Sequence, residues 1–201
     1  MTLYDRLVGK LRPVLRFLFR VRVIGLPEKL PEGGLIVCTN HSSNFDALFL
    51  AAALDRPITF MGKKSLLRVP VIRRICRGVG MIPLSRNGGD AAKLRQAVRE
   101  LKDGKLLVIF PQGRRFRKTP RGTPCLGGLG MMALLSGAKI LPGAVVTRRY
   151  RIRPFCKAIL NFGEPKVYEG TGESKGDMAK AISQAAFEDV CALAEAAEKL
   201  L

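Results

Sequence analysis

The feature that most constrains this fold is an alternation along the chain. Short apolar runs punctuated by turn residues recur at LIVCT (35–39), PITFM (57–61), MIPLS (81–85), KLLVIF (105–110), ILPGAVV (140–146) and 156–162. Runs of this length read as strands, the most continuous of them as strands covered on both faces. Between them lie segments with helical spacing. ALFLAAAL makes a nearly all-apolar helix over 46–54, with Ser42, Ser43 or Asn44 as its cap. Ala91, Leu94, Ala97, Val98 and Leu101 share one face of a helix from Asp90 to about 102, stopped by Gly104. A Gly-rich apolar helix covers 127–136, and an amphipathic helix begins at GDMAKAIS and closes the sequence. Strand–helix alternation predicts one α/β domain with a mixed, largely parallel sheet flanked by helices. In such sheets, chemistry gathers in the loops beyond the carboxyl ends of the strands. Three loops fall there: NHSSNFD, SRNGG and PQGRR.

Charge narrows the partner. Thirty-five lysines and arginines against 16 acidic residues give a net charge of +19, which calls for an anionic counterpart. Nucleic acid fits the charge but not the residues that read it, because Trp is absent, Tyr numbers three and no zinc-finger or RRM signature occurs. We therefore expect an anionic membrane surface and no nucleic-acid partner. The five cysteines are scattered without a CxxC pair or Cys/His cluster, so neither a disulfide framework nor a metal site is expected.

The leading segment supports the membrane reading. Leu3, Leu7, Leu11, Val14, Leu18 and Val21 fall on one helical face, with Arg6, Lys10, Arg16 and Arg20 largely opposite. A basic amphipathic segment over 1–22 suits an anionic bilayer surface, and 23–201 forms the domain. A helix packed on the domain with a solvated basic face fits the same pattern. The longest uncharged run, 122–138, is shorter than the ~20 residues of a membrane span and is interrupted by Gly and Pro. The arginines spread through 1–24 do not match a secretory signal. The chain is thus expected at the cytoplasmic face of the cell membrane, held peripherally.

Candidate chemistry centres on the sole histidine. His41 precedes Asp46 by five positions. A carboxylate bonded to one imidazole nitrogen fixes the tautomer and leaves the other as a general base. The same spacing also fits a loop histidine beside a carboxylate favoured by a helix N-terminus. Arg86, Arg115 and the Lys63–Lys64 pair lie near strand ends and could converge on a phosphate, which arginine binds bidentately. They also fit a solvated basic surface. No GxSxG elbow or GxxxxGK[ST] loop occurs. Gly128-x-Gly130-x-x-Ala133 follows no credible strand and reads as close helix packing.

Taken together, NHSSNFD, GMIPLSR, FPQGRR and ILPGAV resemble, in this order, the glycerophospholipid acyltransferase family of 1-acylglycerol-3-phosphate O-acyltransferases and their relatives. That family carries NHx4D, an arginine after Gly-x-Ile-x-x-x, FPEGTR, and an apolar stretch ending in proline. GKKSLL (62–67) followed by VP is similar as well, and the resemblance spans roughly 22–147. It implies transfer of a fatty acyl group from acyl-coenzyme A or acyl carrier protein to the sn-2 hydroxyl of 1-acylglycerol-3-phosphate, giving phosphatidic acid. His41 would be the base and Asp46 its orienting partner. Lys63, Lys64, Arg86, Gln112, Gly113 and Arg115 would bind the acceptor, with no metal and no cofactor beyond the acyl thioester. The sequence departs from FPEGTR at Gln112, where the family has glutamate, and at Arg114, where threonine is common. Other acceptors, such as glycerol 3-phosphate, another lysophospholipid or an amine, fit the same motifs. A non-catalytic basic module binding lipid or nucleic acid is the reading from another class.

Overall fold

A computed structural model of the chain describes residues 8–9, 13–15, 17–63, 68, 73, 81–84, 91–153 and 155–201, with backbone alone at 63 and 84. Seven strands form one sheet in the order β1-β7-β6-β2-β5-β3-β4. They are β1 (Arg20–Ile24), β2 (Leu35–Thr39), β3 (Ile58–Lys63), β4 (Ile82–Leu84), β5 (Leu106–Ile109), β6 (Lys139–Thr147) and β7 (Lys157–Phe162). The helices are α1 (Phe45–Ala53), α2 (Ala91–Lys102), α3 (Gly128–Ser136) and α4 (Lys175–Glu198). Strands β6, β2, β5, β3 and β4 run parallel. β7 runs antiparallel to β6, and β1 runs parallel to β7. The expected mixed, largely parallel α/β sheet is present.

Side-chain alternation divides the core between the two faces. Leu35 and Val37 of β2, with Leu106 and Val108 of β5, pack under Phe49, Leu50 and Leu54 around α1. Ile36, Cys38 and Leu107 point the other way, toward Leu101 of α2, Leu129 and Met132 of α3, and Phe187 and Val190 of α4. All five residues of β2 are fully buried, as a strand covered on both faces requires. Close packing also accounts for Gly130. Its N–H donates to Ser183 Oγ at 2.8 Å, and a Cβ there would sit 1.9 Å from the Ala179 carbonyl oxygen of α4.

The leading segment differs from expectation in two ways. Residues 20–24 form strand β1, so helical spacing does not persist to residue 22. RVRVI alternates basic and β-branched residues, a period of two that fits an edge strand beside β7. The buried face also has another phase. Leu15 and Phe19 lie in the α1-side core with Leu18 and Val21 against them, while Val14 is 50% exposed and Phe17 77%. Leu3, Leu7, Leu11, Arg6, Lys10 and Arg16 lie outside the described residues, as do Lys64, Arg86 and the SRNGG loop.

Chain direction places the functional loops. From β2 the chain passes into α1 on one face, and from the adjacent β5 it reaches α3 on the other. Connections that diverge to opposite faces from neighbouring strands open a crevice at their carboxyl ends. The 40–44 and 110–127 loops meet there.

Candidate active site

The first loop is built around a buried carboxylate. Asp46 lies in the first turn of α1 and is 0% exposed. Its Oδ2 accepts from the Ser42 N–H at 2.7 Å and the Ser43 N–H at 2.8 Å. It also faces His41 Nδ1 at 2.9 Å. The carboxylate therefore reaches back to satisfy the amides that precede the helix, while Ser43 Oγ accepts from the Phe45 N–H at 3.3 Å. Asn44, at the cap position, makes no side-chain cap bond. A carboxylate only accepts, so Nδ1 carries the imidazole hydrogen and Nε2 keeps its lone pair. The His41 side chain retains 18% exposure, enough to meet a small reacting group.

The second loop fixes the histidine from three sides. Phe110, just past β5, stacks on the imidazole with centroids 4.1 Å apart and planes 19° from parallel. Gln112 Oε1 accepts from the His41 N–H at 2.6 Å, and the Phe116 N–H donates to the His41 carbonyl at 2.8 Å. Both backbone polar groups of His41 are thus held by one short stretch of the β5 loop. Gln112 Nε2 donates to Thr123 Oγ1 at 2.7 Å, and that hydroxyl donates to the Pro120 carbonyl at 2.6 Å. Gln112 is 4% exposed, with both ends of its amide engaged inside the protein. The side chain is turned inward between the two loops and holds the His41 backbone in place.

Gly113 makes the turn with φ +67°, a left-handed conformation that costs a side chain with a Cβ roughly 1–2 kcal/mol. Arg114 and Arg115 follow it and are exposed, and the Arg114 guanidinium lies 4.7 Å from the Phe116 ring centroid. Arg115 sits between the Gln112 and Phe116 anchors and so is carried beside His41. On the other side, Asn40 is buried and exchanges two bonds with β6. Its Nδ2 donates to the Val145 carbonyl at 3.0 Å, and the Val145 N–H donates to its Oδ1 at 2.8 Å. The amide continues the β2–β6 pairing one residue past the strand and aims the next residue, His41.

The structure therefore brings His41, Asp46, Gln112, Gly113 and Arg115 together. Lys63 is placed by its backbone at the end of β3, at the same edge of the sheet. Asn40, Phe110 and Thr123 belong to the site and escaped sequence reasoning. The first two open the motifs NHSSNFD and FPQGRR, and that place within them was the available signal. A cavity of about 390 Å³ lies at the opposite edge, among Gly34, Leu101 and Lys139.

Comparison with known proteins gives a consistent picture. A family model described as acyltransferase matches residues 20–146. A 1-acyl-sn-glycerol-3-phosphate acyltransferase of Borreliella burgdorferi is 30% identical over 118 residues, 57% of this chain and 47% of that protein. The protein of the same name from Escherichia coli is 27% identical over 153 residues, 74% of this chain and 61% of that protein. The chain thus spans about half to three-fifths of the length of these curated relatives. The crystal structure of a 1-acyl-sn-glycerophosphate acyltransferase from Thermotoga maritima superposes with a TM-score of 0.65 at 21% identity. That likeness covers 94% of this chain and 81% of the other, and it establishes a shared fold.

Proposed function

This chain belongs to the acyltransferase family, and from that premise we propose that it moves a fatty acyl group from an acyl thioester to the sn-2 hydroxyl of 1-acylglycerol-3-phosphate, giving phosphatidic acid. The observation that carries the reading is the His41–Asp46 pair. Its Nε2 is left as the acceptor at the crevice between β2 and β5. The acceptor hydroxyl donates its proton to Nε2 as its oxygen attacks the thioester carbonyl carbon. Asp46 stabilises the imidazolium that forms. Collapse of the tetrahedral intermediate breaks the carbon–sulfur bond, and the proton on Nε2 goes to the departing thiolate. Acyl-coenzyme A or acyl carrier protein is the donor, and no cofactor beyond that thioester is required.

Arg115, Arg86 and Lys63 or Lys64 supply positive charge for the acceptor phosphate, with Gly113 shaping the turn beneath it. Gln112 acts at one remove, through the His41 backbone. The acceptor is a membrane lipid, so the protein works peripherally at the cytoplasmic membrane face. Among the described residues no helix is long and apolar enough to cross a membrane.

The test is release of thiol from palmitoyl-coenzyme A with and without 1-acylglycerol-3-phosphate, in the presence of a chelator, beside folded His41→Ala. Acceptor-dependent release that the substitution lowers by about 10²–10⁴ is the expected outcome. Turnover preserved in the variant removes His41 as the base. Release supported instead by glycerol 3-phosphate or an amine reassigns the acceptor.

A further inference from the structure

A second surface stands at the same edge of the sheet as His41. β6 runs parallel to β2 and ends at Thr147, while β7 and β1 run the opposite way and start at Lys157 and Arg20. The β6–β7 connection and residues 17–19 therefore share the edge that carries the catalytic loop. The connection reads RRYRIRPFC, with Arg148, Arg149, Arg151 and Arg153 all exposed. Arg20 and Arg22 are exposed on β1 beside it. Among the described residues no carboxylate pairs with any of these six arginines.

The backbone here is held in unusual shapes. Arg149, Tyr150 and Phe155 have φ of +59°, +52° and +61°, and no other non-glycine residue described has a positive φ. Such conformations persist only where the surroundings impose them. The Tyr150 ring is buried, and its hydroxyl donates to Glu198 at the end of α4. This anchors the turn and leaves Arg148 and Arg149 outside. The Phe155 N–H donates to the Leu18 carbonyl at 2.6 Å, yet its ring is 64% exposed. It meets the 77% exposed Phe17 edge-on at 6.4 Å. Strain is thus spent on presenting an aromatic pair to solvent inside a field of arginines. An aromatic series continues inward from residue 19, with Phe19 at 5.8 Å from Phe45, one residue before Asp46.

We propose that Arg148–Phe155, with Phe17, Arg20 and Arg22, is an anionic-bilayer docking surface whose aromatic pair enters the lipid and sets the His41 crevice against it. This deepens the reading of a lipid acceptor and rests on it. Charge alone would suit an acidic protein equally. Two exposed phenyl rings beside the arginines favour an interface that is apolar within and anionic at its surface.

Sedimentation with vesicles of phosphatidylcholine containing one-quarter phosphatidylglycerol, against phosphatidylcholine alone, tests the proposal. Binding to the anionic vesicles should fall as salt rises. Arg149→Gly with Arg153→Ser should weaken it about 25-fold, from roughly fivefold per basic residue near an anionic surface. Glycine suits the φ of residue 149, so the loss comes with an unchanged melting temperature. Phe155→Ser should weaken the fraction that survives high salt. His41→Ala should bind as the unaltered protein does, and the arginine variants should retain thiol release with a detergent-dispersed acceptor. Those two arms separate failure of this proposal from failure of the catalytic reading. Unchanged vesicle binding in the arginine and Phe155 variants overturns it. So does loss of binding to acyl carrier protein or nucleic acid in those variants with vesicle binding intact.

Discussion

Replacing Asp46 with asparagine separates charge from geometry at this site. Oδ2 gathers three donors, from His41 Nδ1, the Ser42 N–H and the Ser43 N–H, all within 2.9 Å. Two of these are backbone groups that cannot turn away. The asparagine must offer them its carbonyl oxygen, which sends its NH₂ toward Ser42 Oγ, where Oδ1 now lies 3.4 Å away. The imidazole then still donates from Nδ1, and Nε2 remains the acceptor. What disappears is the negative charge. Hydrogen bonds to charged groups are worth about 1.5–3 kcal/mol against about 0.5–1.5 for neutral ones. Over three bonds the fold should lose about 3–4.5 kcal/mol, or roughly 6–18 °C of melting temperature for a chain of this size. The imidazolium loses a counter-charge worth up to about 4 kcal/mol at an effective dielectric near 20. Turnover should therefore fall about ten- to a thousandfold, short of the ~10⁴ that follows when the tautomer is reversed. Thiol release and thermal melts measure both effects. Full turnover in folded Asp46→Asn refutes the role of the charge, and a loss beyond 10⁴ at the expected stability refutes the pinned tautomer.

The other expectations are simpler. Gln112→Ala leaves the His41 N–H and Thr123 Oγ1 without their partner and should cost about 2–4 kcal/mol in urea unfolding, with a fall in turnover. Gln112→Glu should keep turnover within about tenfold, because the Thr123 hydroxyl can rotate to the carboxylate while Pro120 O keeps the Thr123 N–H. A greater loss would show that the amide itself is needed. Burial pushes the Asp189 carboxyl up, but bonds from Lys166 and Tyr168 outweigh it and hold it below the usual range. Its folded form therefore binds fewer protons than its unfolded form. The stability it adds is present above the ordinary carboxylate range and lost as pH falls below about 4, a slope that Asp189→Asn should flatten in melts across pH.

Much of this molecule was legible in the residues because several layers agreed. LIVCT, KLLVIF and ILPGAVV became β2, β5 and β6 within a residue or two, since continuous apolar runs bounded by turn residues leave little choice between two covered faces. His41 and Asp46 were readable because they lie five positions apart, across one short loop and the first turn of α1. What escaped had two physical causes. RVRVI satisfies the helical and the strand period at once over so few positions, and only pairing with β7 selects the strand. The direction of the Gln112 side chain depends on a loop 71 residues away, and no local pattern reports which way an amide turns.

The edge strand has a further consequence for anyone who shortens the protein. Among the described residues β1 borders β7 alone. Removing residues 1–22 to study the leading segment would also strip three of its five paired positions. The uncovered rim of β7, with Lys157, Ala158 and Ile159, would then offer free ladder groups to any passing chain, the ordinary starting point of edge-to-edge aggregation. A truncation that stops before Phe19 keeps that rim closed and lets any loss of lipid affinity be read as a property of the surface.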